Sequence, residues 1–328
     1  MKSRYLGLAL IPILGSCSTN QDKVNTQVKV IDNIESHIIL PTHQLLCERV
    51  IDLQAAVARI EIGDDLSLLQ AREAWFEARE LWEQAEGYYV DDLHAAAIRS
   101  RMDKRLMFAS NDMDSGAQLG ELQLIEEILW GSEGVKVSAE MTDAELQGLM
   151  TITTSMVEQS KQLLALAREA SSDVSTLRAR GDEERTIGCQ KRLKGYVERM
   201  ITVTDEIIDE KIADNYLHPE NTTLENPYSD NIKFDILNNL ISIENLYTGK
   251  LDLHKGLGIS TVVGHQDSEL DAKVRKSIEE SKKAINALPE SYTMALIHDR
   301  DAVLVAKVKL QLLQELLKVQ LLPIVAQI

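Results

Sequence analysis

The chain has 328 residues, with 52 Asp or Glu against 35 Lys or Arg, which gives a formal net charge of −17. An acidic protein is repelled by nucleic acids and by anionic lipid headgroups, so both classes are poor candidates for partners. Aromatic residues make up only 4% of the sequence, and it contains 16 Gly and 6 Pro, a composition that favours long helices.

The N-terminus has the layout of a secretory signal. A short basic start precedes an apolar stretch over 5–14, which is shorter than the ~20 residues needed to cross a bilayer. The tetrapeptide Leu14-Gly15-Ser16-Cys17 resembles the lipobox of bacterial lipoproteins, in which the cysteine carries diacylglycerol. We therefore predict a signal peptide over 1–17, lipidation of Cys17 and a flexible tether over 18–33. An ordinary cleaved signal that ends near a cysteine is the alternative.

This signal also indicates where the protein resides. Ser18 after the cysteine is similar to the pattern of lipoproteins sent to the outer membrane of Gram-negative cells. We expect the chain on the periplasmic side of the cell envelope, attached to the membrane only through its lipid, with the outer membrane favoured over the inner. Cys47 and Cys189 could pair in such an oxidising compartment, but the sequence leaves that pairing open.

Apolar residues at 3-and-4 spacing predict a series of amphipathic helices, which span 32–61, 66–89, 92–108, 115–131, 143–170, 182–214, 231–248, 267–288 and 299–322. The capping-box pattern Thr142-x-x-Glu145 opens one of them, and Pro289 ends another. The last predicted helix has an apolar stripe that we expect to be buried, namely Val305, Val308, Leu312, Leu316 and Val319.

Each predicted helix has one apolar stripe to bury, and roughly four helices lie on each side of the polar stretch near 173–184. Two packed bundles satisfy this requirement. We therefore predict an all-α fold with a first helical bundle over 34–172, a linker over 173–184 and a second four-helix-bundle-like domain over 185–328.

Several catalytic motifs are absent from the sequence. It contains no His-Glu-x-x-His, no CxxC, no glycine-rich phosphate loop and no Gly-x-Ser-x-Gly, and none of its seven histidines is four residues from another. A classical zinc peptidase or a nucleotide-driven enzyme therefore has no local support.

Two helical segments combine charged and apolar residues. In the first, two indoles, a guanidinium and two carboxylates share one helix face, namely Trp75, Arg79, Trp82, Glu83 and Glu86. In the second, Gln123 and Glu126 project together, and their oxygens could bind a hard cation or a polar ligand. The alternative interpretation is that the indoles, with Trp130, are core residues and the charges lie at a solvated surface.

These segments occur in order with Asn226-Pro227-Tyr228-Ser229-Asp230-Asn231, Leu246-Tyr247-Thr248-Gly249 and Ala287-Leu288-Pro289. Together they resemble the imelysin-like family, also called the M75 peptidase family, which includes iron-regulated envelope proteins and is related to an iron-uptake lipoprotein. The resemblance extends over about 35–328. It implies two helical bundles with a polar groove between them.

The family's best-known site holds a metal with the His and Glu of a Gly-x-His-x-x-Glu motif and with acidic residues of neighbouring helices. By position, Glu126 matches the Glu and Gln123 replaces the His. The resemblance therefore implies an all-oxygen site for an iron ion or another hard cation, with Arg79 and Glu83 as orienting groups and with four ligands, namely Glu86, Asp103, Gln123 and Glu126.

Two functions stay open at this point. The acidic balance and the resemblance favour a binding protein of envelope iron handling that holds a cation or a small metal complex in the groove. The replacement of His by Gln123 favours a metal-free scaffold on which an envelope protein docks. A peptidase is poorly supported, because a Gln side chain cannot act as a general base near neutral pH.

Overall fold

A computed structural model describes residues 15–88, 93–103, 119–217 and 228–327. The described residues are almost entirely helical, and the predicted all-α fold is confirmed. The helices are α1 (Gly15–Ile34), α2 (Leu40–Val57), α3 (Asp65–Glu86), α4 (Leu93–Met102), α5 (Glu121–Trp130), α6 (Asp143–Ala179), α7 (Asp182–Glu206), α8 (Asp214–Leu217), α9 (Ile232–Thr248), α10 (Ile259–Gln266), α11 (Ser268–Asn286), α12 (Tyr292–His298), α13 (Arg300–Glu315) and α14 (Leu322–Val325).

Shorter elements connect these helices. Three π-helical segments continue α1 into α2, α7 into α8 and α13 into α14, and they span Glu35–Ile39, Ile207–Ala213 and Leu316–Leu321. A 3₁₀ turn covers Ser138–Glu140, and a two-stranded antiparallel hairpin, β1 (Lys250–Leu251) and β2 (His254–Lys255), follows α9. No helix of the described residues is both long and apolar enough to cross a membrane.

Local sequence explains where several helices begin and end. At the start of α6, the Glu145 amide donates to Thr142 Oγ1 at 3.2 Å and the Thr142 amide donates to Glu145 Oε2 at 2.9 Å, as the capping box predicts. At the end of α9, Gly249 has a φ of 74°, and a Cβ there would lie 2.3 Å from the nitrogen of Gly258. Only glycine fits this position.

The N-terminal part of the chain differs from the prediction. The flexible tether predicted over 18–33 is wrong, because α1 occupies this segment and its later residues Val24, Val28 and Ile31 are buried. Their 3-and-4 spacing gives the helix one apolar face, which packs against α7 and α10. The signal peptide predicted over 1–17 lies for the most part outside the described residues.

Two hydrophobic cores organise the fold. The first joins α2, α3, α4, α5 and the first part of α6, and the second joins α1, α7, the end of α6 and the helices from α9 onward. The chain therefore does not divide at a linker over 173–184, since α6 continues to Ala179 and ends before Gly181. Cys47 and Cys189 are buried and not bonded to each other.

The last long helix buries a different face from the one predicted. Val305, Val308, Leu312 and Val319 are exposed, and only Leu316 of the predicted stripe is buried. The buried residues of α13 are instead Val303, Ala306, Leu310 and Leu313. The helix is apolar on more than one side, so periodicity alone did not identify its core face.

This reassignment can be tested with two leucines of the same helix. Leu310 is fully buried and Leu312 is 56% exposed. We expect Leu310→Ala to lower the free energy of unfolding by about 2–5 kcal/mol because it leaves a cavity, and Leu312→Ala to change it by less than about 0.5 kcal/mol. Urea unfolding of both variants measures this, and equal losses would contradict the assignment.

Candidate functional site

Charged residues are buried where α3 of the first core crosses α9 of the second core. Arg79, Glu83 and Asp235 have no exposed surface, and Lys211 of the π-helical segment Ile207–Ala213 is 2% exposed. Burying charges requires that each is paired and hydrogen-bonded. The ion pairs of Arg79 and Lys211 meet most of this requirement.

The guanidinium of Arg79 lies at the centre of these residues. Its Nη2 is 2.5 Å from Glu83 Oε1 and 3.2 Å from Asp235 Oδ2, and its Nη1 is 2.6 Å from Asp103 Oδ2. One planar side chain thereby holds carboxylates from α3, from the end of α4 and from α9. Arg79 and Glu83, the two residues expected to orient neighbouring groups, are therefore in direct contact with each other.

Lys211 contributes the second buried cation. Its Nζ lies 2.7 Å from Glu83 Oε2. The same carboxylate oxygen accepts a hydrogen bond of 2.8 Å from Asn239 Nδ2, which also donates to the Glu83 carbonyl at 2.9 Å. Glu83 is therefore held by α3 itself, by α9 and by the π-helical segment.

Asp103 is an acceptor for three donors. Besides Arg79, Trp82 Nε1 donates to Oδ2 at 2.7 Å and Gln123 Nε2 donates to Oδ1. Trp82 is thus both a buried core residue and a hydrogen-bond donor to the site. Trp75 does pack, at 5.2 Å from Trp130 between ring centroids, and donates to the Leu122 carbonyl.

Glu126 binds the loop that precedes α9. Its Oε1 accepts hydrogen bonds from the Ser229 amide at 2.7 Å, the Ser229 hydroxyl at 2.6 Å and the Tyr228 amide at 3.1 Å. Burial nevertheless raises the pKa of Glu126 to about 7, because the hydrogen bonds and the nearby Arg79 only partly offset the loss of water. Among the described residues, its Oε2 and the Oε1 of Gln123 are buried and have no hydrogen-bond partner.

The structure brings the predicted ligands together only in part. Carboxylate oxygens of Glu83, Glu86 and Asp103 lie within 4.8 Å of one another, and all three residues are buried. Gln123 joins this group through its contact with Asp103, whereas Glu126 hydrogen-bonds to residues 228–229.

Sequence reasoning missed Lys211, Asp235 and Asn239. For Asp235 and Asn239 the local signal is a run of polar residues on the otherwise apolar helix α9, in which Asp235, Asn238, Asn239 and Ser242 are buried. Buried polar residues on a core helix need partners, and Asp235, Asn238 and Asn239 find theirs on α3.

The donor set fits a hard cation. Around the two cations Arg79 and Lys211 stand five buried carboxyl groups, those of Glu83, Glu86, Asp103, Glu126 and Asp235. Arg199 adjoins the group, where its Nε donates to the Glu86 carbonyl at 2.7 Å and its Nη1 lies 3.4 Å from Glu206 Oε1. These carboxyl groups, together with the buried oxygens Gln123 Oε1 and Glu126 Oε2, are the type of ligand that hard ions prefer.

A groove adjoins this site. Its cavity of about 710 Å³ lies between α3 and α9 and is lined by Phe76, Glu80, Ser229, Asp230, Asn231, Phe234, Leu237, Asn238, Ile241, Glu290 and Ser291. Two of these residues connect it to the buried charges, because Ser229 binds Glu126 and Asn231 Nδ2 donates to Asp235 Oδ1 at 2.8 Å. The groove lies between a helix of each core, as the resemblance implied.

Comparison with known proteins decides the family. The sequence profile of imelysin, peptidase M75, matches residues 39–320. The chain belongs to the imelysin family. Iron-regulated protein A of Synechococcus elongatus is 23% identical over 349 residues, which cover 98% of this chain and 92% of that protein. The resemblance found in the sequence is thus confirmed.

Two solved structures share the imelysin fold. A protein assigned as an iron-regulated protein A precursor from Parabacteroides distasonis has a TM-score of 0.71 at 17% identity, over 92% of this chain and 95% of its own. An imelysin-like protein from Psychrobacter arcticus has a TM-score of 0.64 at 13% identity, over 93% and 96%. Both likenesses concern the fold alone.

The raised pKa of Glu126 predicts how stability depends on pH. A Glu releases its proton near pH 4.5 when unfolded and near pH 7 here, so the folded state binds more protons between these values. The free energy of unfolding should therefore fall as pH rises from about 4.5 to about 7, by about 3 kcal/mol at most.

The comparison with Glu126→Gln isolates this effect, since the variant keeps an oxygen for Ser229 and has no proton to lose. Urea unfolding in metal-free buffer from pH 5 to 8 should show the wild type losing stability relative to the variant. Glu127→Gln, at the neighbouring position, serves as the control and should track the wild type. Parallel curves for the wild type and Glu126→Gln would contradict the prediction.

Proposed function

We propose that this imelysin-family chain is a lipid-anchored accessory protein of iron handling in the cell envelope. It binds iron or another hard cation at the carboxylates between the two cores and is not a peptidase. The observation that carries this proposal is a pair of buried oxygens, Gln123 Oε1 and Glu126 Oε2, that have no hydrogen-bond partner among the described residues, in a site that also holds the buried carboxyl groups of Glu83, Glu86 and Asp103.

The energetic argument starts from these two oxygens. A buried acceptor without a donor costs roughly 1–3 kcal/mol, and a bound cation would remove that cost. Glu86, Asp103, Gln123 and Glu126 are the proposed ligands, with Glu83 beside them. Arg79 and Lys211 fix Glu83 and Asp103 in place, so few side chains need to move when an ion enters.

Ligand chemistry sets the class of ion and argues against catalysis. All proposed ligand atoms are oxygens, which suit hard ions such as ferric iron and calcium. A peptidase needs a general base or an activated nucleophile. Gln123 supplies neither, and the amide is already engaged with Asp103.

The cellular role is supported by the sequence signal and by the relatives. Cys17 of the lipobox lies near the start of α1 and would carry the anchor. The curated relative is named for its regulation by iron. A role in iron handling on the periplasmic side of the envelope, with the outer membrane favoured, agrees with both.

Calorimetric titration of the purified full-length chain tests the metal site. Ferric citrate, Ca²⁺, Cu²⁺ and Zn²⁺ are compared, and we expect one equivalent of ferric iron or Ca²⁺ to bind. Glu126→Gln and Glu86→Gln should each weaken that binding at least about tenfold, because each removes a charged ligand. Unchanged affinity in both variants, or no binding of either hard ion, would refute the site, and Glu127→Gln is the matched control.

The groove supports a second candidate, a scaffold that docks an envelope protein. Phe234 is 44% exposed there, and the carboxyl groups of Glu80 and Glu290 face the same cavity. An apolar surface rimmed by charge is typical of a protein interaction site. Docking on this surface would not require a metal.

A pull-down from envelope extracts in the presence of EDTA separates the two candidates. Under the scaffold hypothesis, the same partner should be retained by the wild type and lost by Phe234→Asp. Leu304→Asp changes a residue of equal exposure, 44%, on α13 and is the control. Retention of the partner by Phe234→Asp, or its loss whenever EDTA is present, would contradict docking in the groove.

A further inference from the structure

Two histidines lie in contact at a place that the proposed metal site does not use. The rings of His37 and His254 are stacked, with 4.6 Å between their centroids and an interplanar angle of 27°. His37 belongs to the π-helical segment Glu35–Ile39 and is exposed, and His254 lies in β2 and is half-buried. Asp235 and Gly249, at opposite ends of α9, are about 20 Å apart along the helix, so the two places are separate.

Asn33 determines which nitrogen of His254 carries the proton. Asn33 Nδ2 donates to the carbonyls of Gly249 at 3.1 Å and Leu257 at 3.0 Å, so its Oδ1 is the atom that faces His254 Nε2 at 2.7 Å. An amide oxygen only accepts, and Nε2 must therefore be the donor. Nδ1 of His254 then keeps its lone pair, which is how proteins orient a histidine that binds a metal.

The loop that carries His254 is tightly held. A Cβ on Gly256 would lie 1.8 Å from Asn33 Oδ1, and a Cβ on Gly258 would lie 2.2 Å from the nitrogen of Gly249. The backbone of this loop packs too closely to shift without breaking the contacts of Asn33. His254 is thus a fixed ligand, whereas the exposed His37 can turn its ring.

The two rings are close enough to share one ion if His37 turns its ring. With metal–nitrogen bonds of about 2.0–2.1 Å, two imidazoles on adjacent positions of one ion have centroids roughly 4.5–5 Å apart. In the structure the two rings are stacked with 4.6 Å between their centroids, so their nitrogen lone pairs lie in nearly parallel planes, and sharing an ion requires the exposed His37 ring to turn out of the stack and direct one nitrogen at the ion. π-Helical turns inside helices frequently occur at functional sites.

We propose that His37 and His254 form a second metal site, which binds a divalent transition-metal ion of the Zn²⁺, Cu²⁺ and Ni²⁺ class. His254 Nδ1 and one ring nitrogen of His37 are the protein ligands, and water completes the coordination. Imidazole suits these ions, whereas the oxygen ligands near Glu126 suit harder ones. The two sites therefore prefer different ions. A substitution at one site should leave ion binding at the other unchanged, so the two proposals can be refuted separately.

Titration of Zn²⁺, Cu²⁺ and Ni²⁺ into the full chain by calorimetry, with electron paramagnetic resonance of the Cu²⁺ form, tests the proposal. We expect one equivalent to bind with nitrogen couplings from two imidazoles. His37→Gln and His254→Gln should each weaken binding at least about tenfold and remove one coupled imidazole.

The controls are His298→Gln, an exposed histidine on α12, and Glu126→Gln at the other site. Both should bind the transition-metal ion like the wild type. Full binding by the double variant of His37 and His254, a Cu²⁺ spectrum without imidazole couplings, or no binding of any of the three ions would overturn the proposal. The wild-type spectrum decides the outcome even if a variant does not fold.

Discussion

The buried guanidinium of Arg79 contacts carboxylates from three separate parts of the chain, and the meeting of the two cores depends on it. Glu83 is one turn further along α3, Asp103 follows α4, and Asp235 lies on α9 of the second core. Without Arg79, three carboxylates would be buried with much less compensation, and an unpaired buried charge is strongly destabilising. The same contacts that join the cores therefore also build the candidate site.

This arrangement has a consequence for cation binding. Glu126 lies near Arg79 but binds the loop at 228–229, and its burial raises its pKa to about 7. A proton and a cation are then alternative ways to compensate the same buried carboxylate. Under the proposed function, cation binding should strengthen as pH rises through 7, because fewer protons compete for Glu126.

Much of the fold follows from local sequence, and the centre of the site does not. The tryptophan helix and the pair Gln123 and Glu126 could be recognised because their spacing is that of one helix face. Lys211 and Asp235 could not, since they stand 128 and 156 positions from their partners on α3. Only tertiary packing brings such residues together, and the spacing of residues within one helix does not predict these contacts.

The spacing of apolar residues predicted the wrong buried face for the last long helix, α13, and the reason is physical. Leu312 and Leu313 are adjacent in sequence, yet the first is exposed and the second is fully buried. Both faces of α13 carry large aliphatic residues, so a stripe can be drawn on either side. The π-helical segment Leu316–Leu321 adds a change in helical register that a fixed spacing cannot follow.

The replacement of the family's His by Gln123 keeps more of the site than the loss of an imidazole suggests. A metal-binding histidine commonly donates from one ring nitrogen to a carboxylate and binds the ion with the other. Gln123 donates from Nε2 to Asp103 and leaves Oε1 buried and without a partner. The Gln123 amide thus keeps a donor, Nε2, toward Asp103 and an acceptor, Oε1, for a ligand. The acceptor atom is an oxygen, whereas in a histidine it would be a nitrogen. Because oxygen ligands favour harder ions than imidazole nitrogen does, the substitution should change which cation is preferred while the surrounding contacts persist.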